Sequence, residues 1–445
     1  MTEPNQNAHP DGPPAAGEDP GPGSTYGSRF DRRRFLALAA GAAAVGGAGY
    51  AALQRGNTLD ALGPLPTNPT STAPATTTSS TVPPPASTTE PPPTTTLPAP
   101  ADSILVVVQM GGGNDGLNTL VPEAGFYRDA RPTLAIPEAD RVALAGYSDA
   151  RLHPAMAPLA SYWADGQMAF VHGLGLPGQS RSHFQAMDHW WAGHPDPPVG
   201  TGWLGRWLDA AIADDNPFAG LGLAFGSPAL QGRRRLTTSV LAPQQMLLSR
   251  VGPVAAERVA QAYREIGGAE PTGRGFRAAY RATMAPAIEA TDAFEILAPD
   301  LTDFNGQRRR TVSEALEAAA GVIELDLGTR VVVVGAGGFD THANQANMQA
   351  ELLTDVAEGI DLFLQRMAEV GRAEQVMVMT TSEFGRRIPQ NASAGSDHGD
   401  GGTQWIVAPG LASTWGTGRM VGEVRPNPAD RENVLVDIDT RSLYA

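Results

Sequence analysis

The sequence predicts an α/β fold: an open, mostly parallel sheet with helices on both faces and a helical insertion. Three observations predict it. Short apolar runs rich in Val and Met recur along the second part of the chain, stretches of helical hydrophobic spacing separate them, and each run empties into a loop of Gly, acids or histidine. In such a sheet ligands sit beyond the carboxyl ends of the strands, so those loops are where chemistry is sought.

Composition bounds the function classes first. The chain has 445 residues and a formal charge of −15, with 18% charged and 42% apolar residues, enough for one sizeable core or two smaller ones. An acidic balance argues against a nucleic-acid partner, which requires a basic face to release counterions. The sequence contains no lysine, which excludes a P-loop lysine, a Schiff-base lysine and a lysine general base. It contains no cysteine either, so a disulfide framework, a thiolate nucleophile and a Cys zinc site are excluded. Any metal must be held by oxygen and nitrogen.

Residues 1–56 read as leader and signal. In "DRRRFLALAAGAAAVGGAGYAAL", Arg32 and Arg33 followed by Phe35, Leu36 and a weakly apolar Ala/Gly run resemble a twin-arginine export signal, with Asp31 in the usual Ser position. That implies the twin-arginine translocase as a partner and an extracellular or cell-envelope destination, membrane-tethered where the signal stays uncut. Residues 57–101 are roughly two-thirds Pro, Ser and Thr over most of their length, too poor in apolar surface to offset ordering entropy, and read as an extended stalk. The folded body is expected over residues 102–445.

Within the body, "ILVVVQM" (Ile104 to Met110) is a buried-strand run closed by "GGGNDG". "HPAMAPLASYWADG" sets Met156, Leu159, Ala160 and Trp163 at helical spacing, and "QMAFVHG" is the next strand. "HFQAMDHWWAG" reads as a helix with Ser182 at its N-cap. "TRVVVVGA" and "QVMVMTTSEFG" are two further strands, joined by an amphipathic helix through Leu352, Leu353, Val356, Ile360, Phe363, Leu364 and Met367. "QWIVAPG" is a last short strand. Residues from about 216 to 310 read as a helical, Arg-rich insertion.

The strand ends carry the candidates. Asn114 and Asp115 follow the first run, Asp340 and His342 the second Val-rich run, Glu383 and Arg386 the "VMVMTTS" run, and a further loop brings Asp397, His398 and Asp400. Taken singly each acid reads as a loop or helix cap. Together they offer carboxylates and imidazoles to one sheet edge, the donor set of a divalent Zn, Mn or Mg ion. In "GQSRSHF", Ser180 and Ser182 precede a helix whose free N–H groups and dipole would stabilise an alkoxide or a transferred phosphoryl or sulfuryl group; equally, Ser182 caps the helix and His183 packs beside it. Arg181 and Arg386 are candidates to clamp an anion.

"VVVQMGGGNDGLNTLVP", "SRSHFQAMDHWWAG", "TGWLGRWLD", "GTRVVVVGAGGFDTHANQ", "SEFGRRIPQNASAGSDHG" and "VDIDTRSLYA" together resemble the DUF1501 family of exported proteins of largely unassigned function. The resemblance spans about residues 102–445, and the closing "LYA" falls where relatives continue into a helix, which implies a chain that stops short of the family's end. That family is similar, remotely, to the alkaline phosphatase and sulfatase superfamily, in which two metal ions flank a Ser, Thr or Cys nucleophile. The resemblance implies metal ligands at Asp115, Asp340, His342, Glu383, Asp397 and His398, and a nucleophile at Ser182. Phe384 stands where the superfamily has a ligand histidine, which implies one well-formed metal site rather than two. Two functions follow: a metal-dependent hydrolase of phosphate or sulfate esters, acting on an anionic ester or polymer, or a non-catalytic, wall-associated or polymer-binding protein on the same fold. "GGGNDG" lacks the G-x-G-x-x-G register, so a dinucleotide-dependent oxidoreductase is set aside.

Overall fold

The computed structural model describes residues 103–176, 178–193, 200–213, 216, 218–223, 227–234, 237–240, 258, 261–262, 265, 312–411 and 419–444. The signal, the stalk and most of the expected insertion lie outside the described residues.

Among the described residues nine strands make the main sheet: β1 (Ile104–Gly111), β2 (Met168–Gly175), β3 (Gly220–Leu223), β4 (Thr238–Val240), β5 (Val331–Gly337), β6 (Val376–Thr381), β7 (Gly402–Val407), β8 (Arg419–Val421) and β9 (Ile438–Asp439). Their order is β8-β2-β7-β6-β1-β5-β3-β4, with β9 also on β2. Every pairing is parallel except those of β7, which runs antiparallel to both β6 and β2. The mostly parallel sheet expected from the Val-rich runs is therefore present.

Parallel strands must be covered on both faces. The covering helices are α1 (His183–Ala192), α2 (Trp203–Ala211), α3 (Val312–Glu324) and α4 (Gln345–Glu369). Alternation along β1 sends Val106, Val108 and Met110 into one core with Leu316 and Val322 of α3 and Val356, Ile360 and Phe363 of α4. Val107 goes to the other core with Leu204 and Leu208 of α2. Of the α4 residues named from periodicity, Leu353, Val356, Ile360, Phe363, Leu364 and Met367 are buried and Leu352 is half-buried against the same core; each buried one stabilises the fold by about 1.5–3 kcal/mol relative to exposure. A small antiparallel sheet of Leu120–Pro122, Val142–Leu144 and Tyr147–Leu152 adds Leu120, Leu144 and Leu152 to the α3/α4 core.

Two local expectations change. The Met156 to Trp163 stretch is not one α-helix: Pro154–Leu159 form a 3-10 turn, with Pro158 unable to donate, and only Ala160–Ala164 are α-helical. Met156, Leu159 and Trp163 are nevertheless buried as their spacing implied. In the segment read as a helical insertion, β3 and β4 extend the sheet edge. The glycines of "GLGL" conceal β3 because they lower strand propensity. Gly220 is there for packing: a Cβ on it would lie 2.6 Å from Leu208 Cδ1 of α2.

β1 lies between β5 and β6 with Gly111 level with Gly337 and Gln109 level with Thr381, so the three strands end together. The loops that follow them share one crevice with the loop leaving β2 and the loop entering β7.

Candidate metal centre at the carboxyl edge of the sheet

Beyond β1 the chain turns at Gly112, whose φ is +121°; a Cβ there would lie 2.3 Å from Asp340 N. Glycine alone lets the β1 and β5 loops touch. Gly112 N donates to Glu383 Oε1 at 2.8 Å, which ties the β6 loop to the same point. Arg386, buried to 1% exposure, fastens all three loops. Its Nε donates to Gly113 O (2.7 Å), Nη1 to Ser396 O (2.7 Å), and Nη2 to Phe339 O (3.0 Å), to Asp340 Oδ1 (2.6 Å) and to Gly112 O.

This scaffold presents four side chains. Asp340 and His342 follow β5. His398 is set by an antiparallel bridge with Arg386, in which Gly399 N donates to Gly385 O (2.8 Å) and Arg387 N to Asp397 O (2.9 Å). The fourth is His183, the first residue of α1. His342 Nε2, His398 Nε2 and Asp340 Oδ1 stand 2.9 to 3.0 Å from one another. Asp340 Oδ2 faces His183 Nε2 at 3.4 Å, an approach without hydrogen-bond alignment, so that buried Nε2 has no hydrogen-bond partner among the described residues. His183, Asp340 and His398 each offer a ligand atom within 4.8 Å of the others.

Their opposite nitrogens fix the tautomers. His183 Nδ1 meets Glu383 Oε1 at 2.8 Å, His342 Nδ1 meets Asp397 Oδ1 at 3.1 Å, and His398 Nδ1 meets the carbonyl of Arg181 at 2.8 Å. Carboxylate and carbonyl oxygens only accept, so each Nδ1 carries the proton and each neutral imidazole turns its Nε2 lone pair inward. In that form the Nε2 lone pairs of His342 and His398 face each other and the Asp340 carboxylate, which also accepts from Arg386 Nη2, an arrangement that a shared proton or a cation between them relieves. Ligand atoms about 2.0–2.2 Å from one ion are roughly 3–3.5 Å apart, which the separations of His183, His342 and His398 from Asp340 match. The residues fit a divalent ion, and the Nδ1 partners are the supports that orient metal-binding imidazoles.

The charges agree with this geometry. For Asp340, partial burial works to raise the carboxyl's pKa, but the hydrogen bonds from Arg386 and His398 and the Arg386 charge outweigh it and hold it down to about 2. The Glu383 hydrogen bond, opposed by burial and aided by the Glu383 and Asp340 charges, pushes the His183 imidazole up from its ordinary value. Asp397 is held below the usual carboxylate range, first by its bond from Asn391 and then by His342.

Of the residues expected from the sequence, Asp340, His342 and His398 come together here, with Glu383 and Asp397 one step behind them on the Nδ1 side. Asp115 is committed elsewhere. Fully buried, it pairs with Arg131 (Nη1 to Oδ2 at 2.6 Å, Nη2 to Oδ1 at 3.1 Å), accepts from Leu117 N at 3.1 Å and accepts from Gln345 Nε2. Arg386 is spent on carbonyls and Asp340, as a fastening of the loops rather than a surface clamp. The Arg181 guanidinium forks onto Asp400 (2.9 and 3.0 Å). Ser182 is exposed at the N-cap of α1 and makes no side-chain capping bond, next in sequence to His183.

His183 is the member that sequence reasoning passed over as packing beside a cap. The ring of Phe384 lies 5.0 Å from that of His183 and 4.7 Å from that of His398. Phe384 therefore forms a wall beside both imidazoles. The usable signal was position: His183 stands on the loop beyond β2, as Asp340 stands beyond β5.

The family described as "Protein of unknown function (DUF1501)" matches residues 137–422. No curated protein matches the sequence. Similar solved structures include the C-terminal periplasmic domain of EcEptC from Escherichia coli in complex with Zn, at 6% identity and a TM-score of 0.38 over 71% of this chain and 76% of that one. The alkaline phosphatase of the Antarctic bacterium TAB5 is 8% identical, with a TM-score of 0.31 over 72% and 94% of the two chains. The lipoteichoic acid synthase LtaP of Listeria monocytogenes is 9% identical, with a TM-score of 0.33 over 76% and 64%.

Proposed function

Since the chain belongs to the DUF1501 family, whose description assigns no activity, we propose its function from the site itself: a metal-dependent hydrolase of phosphate or sulfate esters, exported through the twin-arginine translocase. The observation that carries the reading is the inward convergence of the His183, His342 and His398 Nε2 atoms on the Asp340 carboxylate, each imidazole fixed by an acceptor at Nδ1. His183, Asp340, His342 and His398 would hold a Zn, Mn or Mg ion. When bound, such an ion supplies Lewis acidity that polarises an ester oxygen.

The chain's own groups do the rest. Ser182 is the proposed nucleophile: its hydroxyl is not used as a cap, and it sits where the free N–H groups of the ten-residue helix α1 favour developing negative charge. Glu383 and Asp397 hold the His183 and His342 protons at Nδ1 and so aim their Nε2 atoms. Asp397, half-exposed, is the proposed proton relay to solvent. The Arg32–Arg33 signal and the stalk support a position outside the cytoplasmic membrane. No helix among the described residues is long and apolar enough to cross a membrane.

The test is elemental analysis of the purified full chain, with turnover of aryl phosphates and aryl sulfates. About one divalent ion per chain is expected. Ser182→Ala should keep the ion and lose turnover, whereas His342→Ala should lose both. Metal-free protein of unchanged stability would favour the polymer-binding reading, and turnover surviving both substitutions removes the site assignment.

A further inference from the structure

We propose that Asp400 sets the charge selectivity of this centre by withholding Arg181 from the substrate, so that the site takes singly charged esters, phosphodiesters and sulfate esters, in preference to doubly charged phosphate monoesters. This rests on the metal-dependent reading above. Arg181 stands next to Ser182, the proposed nucleophile, and its carbonyl is the acceptor for His398 Nδ1 at 2.8 Å. Released from Asp400, its guanidinium would be a clamp for ester oxygens. Asp400, two residues beyond His398, takes it in a two-pronged bond, Nε to Oδ1 at 2.9 Å and Nη2 to Oδ2 at 3.0 Å, with Asp430 Oδ2 a further 3.9 Å from Nη2. That fork matches a carboxylate as well as it would a phosphate, so the two compete for it.

The other arginines of these loops are also engaged. Arg386 is buried against carbonyls and Asp340, and Arg387 pairs with Glu432 at 2.7 Å. Among the described residues, no guanidinium on these loops stands without a carboxylate. Around a bound divalent ion, Asp340, Glu383 and Asp397 would bring three negative charges and Arg386 one further positive charge, which leaves the centre near neutral. A monoanion approaching it meets the repulsion of Asp400 and Asp430 once; a dianion meets it twice, with no free fork in return. The Arg181–Asp400 pair is about a third and a quarter exposed, so it is fixed by geometry rather than by deep burial and responds to removal of one charge.

The experiment is calorimetric titration of the zinc-loaded full chain with inorganic phosphate and with dimethyl phosphate, at about pH 8.5 where the first is a dianion and the second a monoanion. Wild type should bind dimethyl phosphate at least as well as phosphate. Asp400→Asn, which keeps an acceptor for Arg181 but removes its charge, should raise phosphate affinity about tenfold relative to dimethyl phosphate. The double variant Arg181→Gln/Asp400→Asn, which removes both charges of the pair, should leave the wild-type ratio unchanged, because the guanidinium is already taken. An unchanged ratio in Asp400→Asn, or a tenfold loss of phosphate binding in the double variant, overturns the inference while zinc uptake stands. Wild-type protein that takes up no zinc overturns the hydrolase reading, and this inference with it.

Discussion

Glu383→Gln tests the centre without touching a proposed ligand. Glu383 is buried to 2% exposure, and its Oε1 accepts from His183 Nδ1 and Gly112 N, each at 2.8 Å. Glutamine is isosteric, and its amide oxygen can keep both bonds, so the loops stay joined. What is lost is the negative charge that makes His183 basic. Removing such a support typically lowers metal affinity about 10–100-fold, or about 1.4–2.8 kcal/mol. The effect should depend on pH with a definite sign. In wild type the Glu383 hydrogen bond raises the His183 pKa, so protons compete with the metal increasingly as pH falls. In the variant that pKa drops towards its ordinary value and competition weakens, so the affinity gap is widest near pH 8 and narrows towards pH 6. Zinc titrations against a fluorescent chelator at pH 6, 7 and 8 measure it. Equal affinities for wild type and variant at every pH would remove His183 from the site and refute the convergence argument.

Further perturbations have equally definite outcomes. His153 and His172 are each held down to about 4, chiefly by burial; the folded state resists protons that the unfolded chain accepts below about pH 6.5. Stability should therefore be full above that pH and fall by about 2 kcal/mol per histidine between pH 7 and pH 4.5, measured by urea unfolding of metal-free protein; a flat profile in that window contradicts the burial argument. Arg386→Met leaves Asp340 and several loop carbonyls without their donor and should cost about 3 kcal/mol in chemical denaturation together with loss of zinc binding. Gly112→Ala forces a Cβ to within 2.3 Å of Asp340 N at a φ of +121°, so about 3 kcal/mol of destabilisation is expected, read as a lowered unfolding midpoint.

Much of the scaffold was legible because strands buried on both faces must be continuously apolar. "ILVVVQM", "VVVVGA" and "VMVMTT" announce β1, β5 and β6, and the acids and histidines stand at their carboxyl ends as the architecture requires. β3 was not legible, since its glycines lower strand propensity and Gly220 serves the approach of α2. Asp115 shows the opposite failure. It occupies a strand-end position suited to a ligand, yet Arg131, sixteen residues on and unremarkable in sequence, folds back to pair with it.

The sequence by itself determined the sheet, the absence of lysine and thiol chemistry, and which loops carry metal-type donors, because composition and hydrophobic period act along the chain. Which of those donors meet was decided only by tertiary structure. The glycine contact at Gly112, the buried Arg386 and the bridge that holds His398 bring Asp340, His342 and His398 within about 3 Å of one another and admit His183 from α1. Backbone hydrogen bonds between loops far apart in sequence set those distances, and no periodicity along the chain encodes them.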